Sequence, residues 1–374
     1  DEAEGASPRR LERIGVLGGG TMGAGIAAAC LLGGLGVTIV ERDDKRAALA
    51  RGRVLGILDD SAGRRLLSPE ARQAAEALLI VAMDFGPLSD CDLIVEAVFE
   101  DMDVKKAVFA ELDDVARPDA IFASNTSYLD IDEIAAGTSD PSRVIGLHFF
   151  SLAHVMKLLE LIVTREAASD VLATGLALGK RLRKITVPAR VCDGFIGNRI
   201  MARYRREADY MLEDGALPEQ IDAAMRDFGF PMGVFQMADL AGLDIGWAMR
   251  KRQAATRDPS ERYVEIADRI CEIGRLGRKT GRGWYDYTQD KAGVPDPWVT
   301  ALIEAESARK GITRQSLDAG QIMHRILTVM QKEGAALLAE GIAASPEAID
   351  VVMINGFGFP RWRGGPMFMM DSEP

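Results

Sequence analysis

The 374-residue sequence predicts an α/β protein: a doubly wound parallel sheet, followed by an all-α region that carries one helical unit twice. Three observations predict it. Arg13 to Asp43 reads as strand, glycine turn, helix and strand. Apolar strand-like runs then alternate with helical stretches as far as Val187, which is the pattern of a parallel sheet. From Phe195 onward the apolar spacing is helical, and a block of motifs recurs.

The first strand, with Ile14, Val16 and Leu17, stops at Gly18, Gly19 and Gly20, and small apolar residues from Ala24 to Leu32 suit a buried helix. Gly18, Gly20 and Gly23 have the spacing of a Rossmann-type dinucleotide turn. One glycine makes the tight turn, one lets backbone approach a pyrophosphate, and one packs helix on strand. The helix beginning at Thr21 and Met22 then offers its free N–H groups to the phosphates. The second strand, Val37 to Val40, ends on Glu41, where an adenosine ribose presents its hydroxyls. A carboxylate accepts from those hydroxyls and repels a 2′-phosphate, so NAD is expected over NADP, with Arg42 pulling the other way.

A polar helical region follows, with Lys45, Arg46, Arg51, Arg53, Arg64, Arg65 and Arg72 outnumbering its acids, and with Ser68 and Pro69 as helix cap and first position. It is either a solvated face or a contact for substrate phosphates. Leu93 to Val98 is the next strand-like run, followed by Glu100 and a helix from about Val104 to Val115. Ile121 to Ser124 ends in Asn125, Thr126 and Ser127, and Val144 to Leu147 ends in His148. Ligands bind beyond the carboxyl ends of such strands. Gly18, Ala97 to Glu100, Asn125 to Ser127 and His148 all fall there. Val155 to Val163 reads as a further strand around Glu160, a helix from about Ala168 to Lys180 follows, and a strand near Ile185 to Val187 ends at Pro188.

In the helical half, Asn198-Arg199-Ile200, Gly215, Pro218-Glu219, Ile221-Asp222, Gly229-Phe230-Pro231 and Asp239 recur as His324-Arg325-Ile326, Gly341, Pro346-Glu347, Ile349-Asp350, Gly358-Phe359-Pro360 and Asp371, at an offset growing from 126 to 132. The expected organisation is a polar linker or excised end over 1–11, an NAD-binding domain over 12–190, a first helical domain over 191–290, a connector over 291–315 and a second helical repeat over 316–374, whose completeness the stop at Pro374 leaves open.

Composition narrows the partners. With 48% hydrophobic and 27% charged residues and a net charge of -11, the chain is an ordinary soluble protein unsuited to nucleic acid or an anionic membrane surface. No apolar run approaches the ~20 residues of a membrane span. Cys30, Cys91, Cys192 and Cys271 form no CxxC pair, so neither a metal site nor a disulfide frame is expected, and a reducing compartment fits.

Only His148, His154 and His324 are histidines. His148 lies on the ligand edge, and Glu160 sits inside an apolar strand, where a carboxylate is costly unless paired. Glu160 facing His148 would fix the imidazole tautomer and raise its basicity, as a general base requires. A base beside a nicotinamide implies alcohol oxidation, with Ser127 and Asn198 available to hold the reacting oxygen.

Taken with Val95-Glu96-Ala97-Val98, Ser124-Asn125-Thr126-Ser127, His148-Phe149-Phe150, Val155 to Glu160, Asp193 to Arg199, Lys279 to Tyr285 and Pro360 to Pro366, the chain resembles the L-3-hydroxyacyl-CoA dehydrogenases, and its duplicated unit resembles the dehydrogenase part of multifunctional β-oxidation proteins. That resemblance implies NAD as cofactor and an acyl-CoA as substrate. It implies His148 as base, Glu160 as its orienting partner, Ser127 and Asn198 at the oxygen, Glu41 at the adenosine ribose, and Ala97, Val98, Glu100, Lys105 and Asn125 at the nicotinamide side. It also implies that the second repeat replaces a partner subunit, giving a monomeric dehydrogenase part, with a larger assembly left open to the full-length protein. The setting implied is cytoplasmic, with a peroxisomal one as the alternative. One departure stands out: the family usually has proline after His148-Phe149-Phe150-Ser151, where this chain has Leu152, and a looser loop is expected.

Overall fold

The sheet grows outward in both directions from β1 (Arg13–Leu17). In this computed structural model, which describes residues 3–255 and 257–372, Asp1 and Glu2 of the expected linker, Thr256, and Glu373 and Pro374 of the second repeat lie outside the described residues. The chain divides into two compact units, Asp1–Arg199 with Ala336–Phe357, and Ile200–Ala335 with Gly358–Pro374.

In the first unit the strands are β1, β2 (Gly36–Val40), β3 (Leu79–Ala82), β4 (Leu93–Glu96), β5 (Ile121–Ser124), β6 (Val144–Phe149), β7 (Leu158–Val163) and β8 (Ile185–Arg190), in spatial order 3-2-1-4-5-6-7-8. β4, β5 and β6 are buried along their whole length, as expected of central strands covered on both faces. The first six run parallel; β7 turns back antiparallel to β6, and β8 is parallel to β7. The parallel, doubly wound sheet expected from the sequence is present, and β7 alone runs against its neighbour β6, because the short connection after Phe149 makes a hairpin rather than a crossover. That reversal sets His148 directly opposite Glu160. β3, on the edge, was not anticipated: Leu79 to Ala82 follows an alanine-rich helix and reads as its continuation. Pro188 lies within β8 rather than after it, which the opposite sheet edge tolerates.

The helices of this unit include α1 (Thr21–Leu32), α2 (Asp44–Gly63), α3 (Pro69–Ala77), α4 (Met102–Val115), α5 (Ile131–Ala135) and α6 (Ser169–Arg181). Gly23 through Leu31 are all buried, so α1 needs no polar face. Ser68 caps α3 through its hydroxyl, with Pro69 at the first position, as the sequence indicates. The chain leaves β1 for β2 on one side and returns to β4 on the other, so the switch point of the sheet lies at the ends of β1 and β4.

The helical half comprises α7 (Gly197–Asp214), α8 (Pro218–Phe228), α9 (Val234–Ala241), α10 (Leu243–Gln253), α11 (Ile266–Glu272), α12 (Pro297–Arg309), α13 (Ala319–Ala339), α14 (Pro346–Gly356) and α15 (Pro366–Ser372). It is not wholly helical: β9 (Tyr285–Asp286) and β10 (Val294–Pro295) form a small hairpin, and the expected connector holds α12. Two buried acids anchor the hairpin in the second unit. Asp239 accepts from the Trp284 and Tyr285 N–H groups and the Tyr287 hydroxyl, and Asp222 accepts from Phe235 and Gln236 N–H and the Tyr285 hydroxyl. Burial pushes both carboxyls up to about 6 against these hydrogen bonds.

The two copies of the helical unit grip each other by exchange. In the second unit, a side chain on Gly229 would meet Pro360, and one on Gly358 would meet Pro231, the same two positions of the repeat taken in opposite order. Glu207 and Glu333, also equivalent, each pair with an arginine of the other copy, Arg325 and Arg203. Arg325 further reaches Asp214 at 2.8 Å, and in the first unit Arg199 makes the corresponding bidentate pair with Glu340 at 2.6 and 2.8 Å.

Candidate active site

The three motif glycines have separate physical reasons. Gly18 has φ +89°, and a Cβ there would lie 2.8 Å from the Ala97 carbonyl, so the turn after β1 packs directly on the segment after β4. A Cβ on Gly23 would fall 1.7 Å from the Gly18 carbonyl, which only glycine permits. Gly20 differs, because a Cβ there meets nothing within 4 Å. It also occupies the cap position of α1, where no side chain satisfies the free N–H groups. An open glycine at an uncapped helix start fits a pyrophosphate, the group that NAD would bring. Gly20→Val is thus expected to fold normally and to weaken NADH binding more than about ten-fold, measured by fluorescence titration beside a melting curve.

Glu41, at the end of β2, reaches the turn: its Oε1 accepts the Gly19 N–H at 2.7 Å. On the other side of the turn, Glu96 is a buried acid that sequence reasoning quoted in a motif without assigning it a role. Its Oε1 accepts from Lys105 Nζ at 2.6 Å and from the Val98 N–H at 2.7 Å, and its Oε2 accepts from the Ser124 hydroxyl. Lys105, implied at the nicotinamide side, is 1% exposed and engaged by Glu96 and by Glu100, 3.3 Å away. Removing one partner of such a buried pair costs about 3–5 kcal/mol. The available signal was the one that exposed Glu160, an acid inside an apolar strand.

Glu100 passes this order on to the next strand end. Its Oε1 accepts from the Thr126 hydroxyl at 2.6 Å and the Ser127 N–H at 3.0 Å. Asn125 Oδ1 accepts the Phe149 N–H at 2.9 Å, tying the end of β5 to that of β6.

His148 is 3% exposed, with the rings of Phe150 and Phe195 centred 4.5 and 5.5 Å from its own. Its Nδ1 lies 2.7 Å from Glu160 Oε2, and its Nε2 lies 3.3 Å from the Ser127 hydroxyl. A carboxylate only accepts, so Nδ1 donates to it, and in the neutral ring the lone pair lies on Nε2. The second oxygen of Glu160, fully buried, accepts the N–H groups of Ile196 and Gly197 at 3.2 and 3.1 Å. Both oxygens of this buried side chain are therefore engaged as acceptors. Because Gly197 begins α7, the same contacts bring Asn198, 9% exposed in its first turn, to the His148 side of the sheet. His148, Glu160, Ser127 and Asn198 thus all come from the first unit. His154 lies in the loop after β6, and His324 is exposed on α13.

The loop carrying Leu152 is a closed turn, not the looser one expected. The Leu152 carbonyl accepts from Val155 and Met156 N–H, and Lys184 Nζ binds the carbonyls of Ala153 and Met156. Leu152 has φ +64°, which proline, fixed near −65°, cannot adopt.

The model of the 3-hydroxyacyl-CoA dehydrogenase NAD-binding domain matches residues 13–192, and that of the C-terminal domain of the same enzymes matches residues 194–287. The peroxisomal bifunctional enzyme of Danio rerio is 44% identical over 97% of this chain, and the alignment takes in 52% of that protein. The chain spans about half the length of the curated relatives it matches, several of which are named as peroxisomal or glyoxysomal. Among solved structures, the 3-hydroxybutyryl-CoA dehydrogenase of Escherichia coli superposes with a TM-score of 0.81 at 28% identity, covering 95% of this chain and 91% of that one. The dehydrogenase part of multifunctional enzyme 1 from C. elegans gives 0.68 at 30% identity, covering 95% and 80%. The class these matches give is that of the NAD-dependent oxidoreductases. The chain belongs to the 3-hydroxyacyl-CoA dehydrogenase family.

Proposed function

We propose that this chain oxidises an L-3-hydroxyacyl-CoA to the 3-ketoacyl-CoA with NAD, as the dehydrogenase part of a fatty-acid β-oxidation protein. The observation that supports it most is the buried His148–Glu160 pair at 2.7 Å, which in the neutral ring turns the Nε2 lone pair toward the Ser127 hydroxyl. His148 Nε2 takes the proton of the substrate's 3-hydroxyl. Glu160, held by Ile196 and Gly197, keeps the ring in that tautomer and balances the imidazolium that forms. Ser127 and Asn198 hold the oxygen as it becomes a carbonyl. NAD, when bound on the glycine turn, supplies the acceptor for the hydride leaving the same carbon. Glu41 binds the adenosine ribose, and Ala97, Val98, Glu100 and Asn125 shape the nicotinamide side, with Lys105 acting through Glu96 and Glu100.

The exchanged contacts of the two helical copies support a dehydrogenase part that works as a monomer, the second copy standing where another subunit would. No helix among the described residues is long and apolar enough to cross a membrane. The setting we favour is cytoplasmic, with the peroxisome as the alternative that the relatives' names support.

The test is reduction of acetoacetyl-CoA and of acetoacetate, each with NADH and NADPH, followed by cofactor absorbance. Turnover of acetoacetyl-CoA with NADH is expected. Activity confined to the free acid points instead to a 3-hydroxy-acid dehydrogenase, and silence with all four pairs to a binding protein.

A further inference from the structure

Two side chains hold the backbone of Gly19, one on its N–H and one on its carbonyl. Glu41 Oε1 accepts its N–H at 2.7 Å, and Arg53 Nη1 donates to its carbonyl at 3.0 Å. The position of Arg53 is set by packing, since α2 lies against the turn so closely that a Cβ on Gly19 would come 2.2 Å from the buried Ala50 side chain. One turn of helix further on, the Arg53 guanidinium reaches the carbonyl of Gly19, and the residue that follows, Gly20, has open surroundings. Arg53 is exposed, and no carboxylate among the described residues pairs with it. Guanidinium has five N–H donors, and the turn uses one. A cation without a counter-ion, fixed beside a turn shaped for a dinucleotide, matches what that ligand lacks.

We propose that Arg53 binds the adenylate phosphate of the cofactor, and that its opposition to Glu41 across Gly19 sets the choice between a free ribose and a 2′-phosphate. This rests on the reading of the turn as an NAD site. Glu41 serves the ribose hydroxyls as acceptor, while its charge opposes a 2′-phosphate. Arg53, with Arg42 adjacent to Glu41, supplies the positive charge that a 2′-phosphate would use if that opposition were lifted. Charge-assisted hydrogen bonds from arginine to phosphate are strong and directional.

The experiment titrates NADH and NADPH fluorescence against the full chain, unaltered and as Arg53→Met, Arg53→Lys, Glu41→Gln and the double Arg53→Met/Glu41→Gln variant. Methionine keeps the length of the side chain and removes the charge. Arg53→Met is expected to weaken NADH binding about ten-fold, and Arg53→Lys to recover most of that loss, because the charge returns without the fork that holds Gly19. Glu41→Gln is expected to tighten NADPH binding about ten-fold, and the double variant to forfeit that gain. The role of Arg53 is overturned if Arg53→Met binds NADH within about two-fold of the unaltered protein, if lysine behaves as methionine does, or if the double variant keeps the gain for NADPH. Failure of the unaltered protein to bind NADH at all would instead remove the NAD reading of the turn itself.

Discussion

Replacing His148 with glutamine is expected to lower turnover of a 3-hydroxyacyl-CoA by about 10²–10⁴ while NADH still binds, because positioned base catalysis is worth that much. The glutamine fills similar space but has no basic nitrogen. The glycine turn, Glu41 and the Glu96–Lys105 pair do not pass through His148, so the cofactor side keeps its hydrogen bonds. Steady-state rates and fluorescence titration on one preparation check the result. Near-normal turnover would end the assignment of Nε2 as base.

Glu160→Gln is the second large effect, and its cause is hydrogen-bond polarity. The side chain now accepts at both oxygens, from Ile196 and Gly197 on one and from His148 Nδ1 on the other. An amide has one oxygen. If that oxygen stays with the two backbone N–H groups, the NH₂ faces Nδ1–H, and the imidazole must move its proton to Nε2 to become an acceptor. The base is then blocked with its geometry intact. A fall of about 10³–10⁴ in kcat is expected, the size seen when an orienting carboxylate is made an amide. If the oxygen turns to His148 instead, two buried N–H groups lose their partner, and stability falls by about 1–3 kcal/mol for each. Rate and melting temperature together tell these apart, and a variant with more than one-tenth of normal kcat and an unchanged melting point would contradict both.

The site was legible where chemistry and burial conflict in the sequence. Glu160 inside Leu158 to Val163 demands a partner, and a strand-end histidine supplies one; the antiparallel register of β6 and β7 makes them neighbours. Glu96 sits in the same kind of conflict, in Leu93 to Glu96, but its partner Lys105 comes from the following helix, and nothing in the spacing reveals that it points inward. The glycine turn was legible because Gly18 and Gly23 are required by the backbone itself, through a positive φ and a contact of 1.7 Å. Arg53 was read only as one charge among many on a polar helix, since its contact with Gly19 follows from how α2 packs.

The fold was legible where strands are long, central and apolar. It was not legible at the sheet margins. β3 is four residues long with Ile80 exposed, and β9 and β10 are two residues each, β9 being held by Asp239 rather than by strand pattern. The positive φ of Leu152 gave no signal, because leucine has no preference for that region and the surrounding turn imposes it.

The exchange between the helical copies, Gly229 on Pro360 and Gly358 on Pro231, changes what dilution does to the protein. Two faces joined by one chain meet at an effective concentration on the order of millimolar, whatever the amount of protein in the tube. A lesion on one side of a swapped contact therefore harms both copies together. In the monomer we propose, the counterpart is encoded in the same polypeptide, so a healthy molecule mixed in does not restore it by subunit exchange.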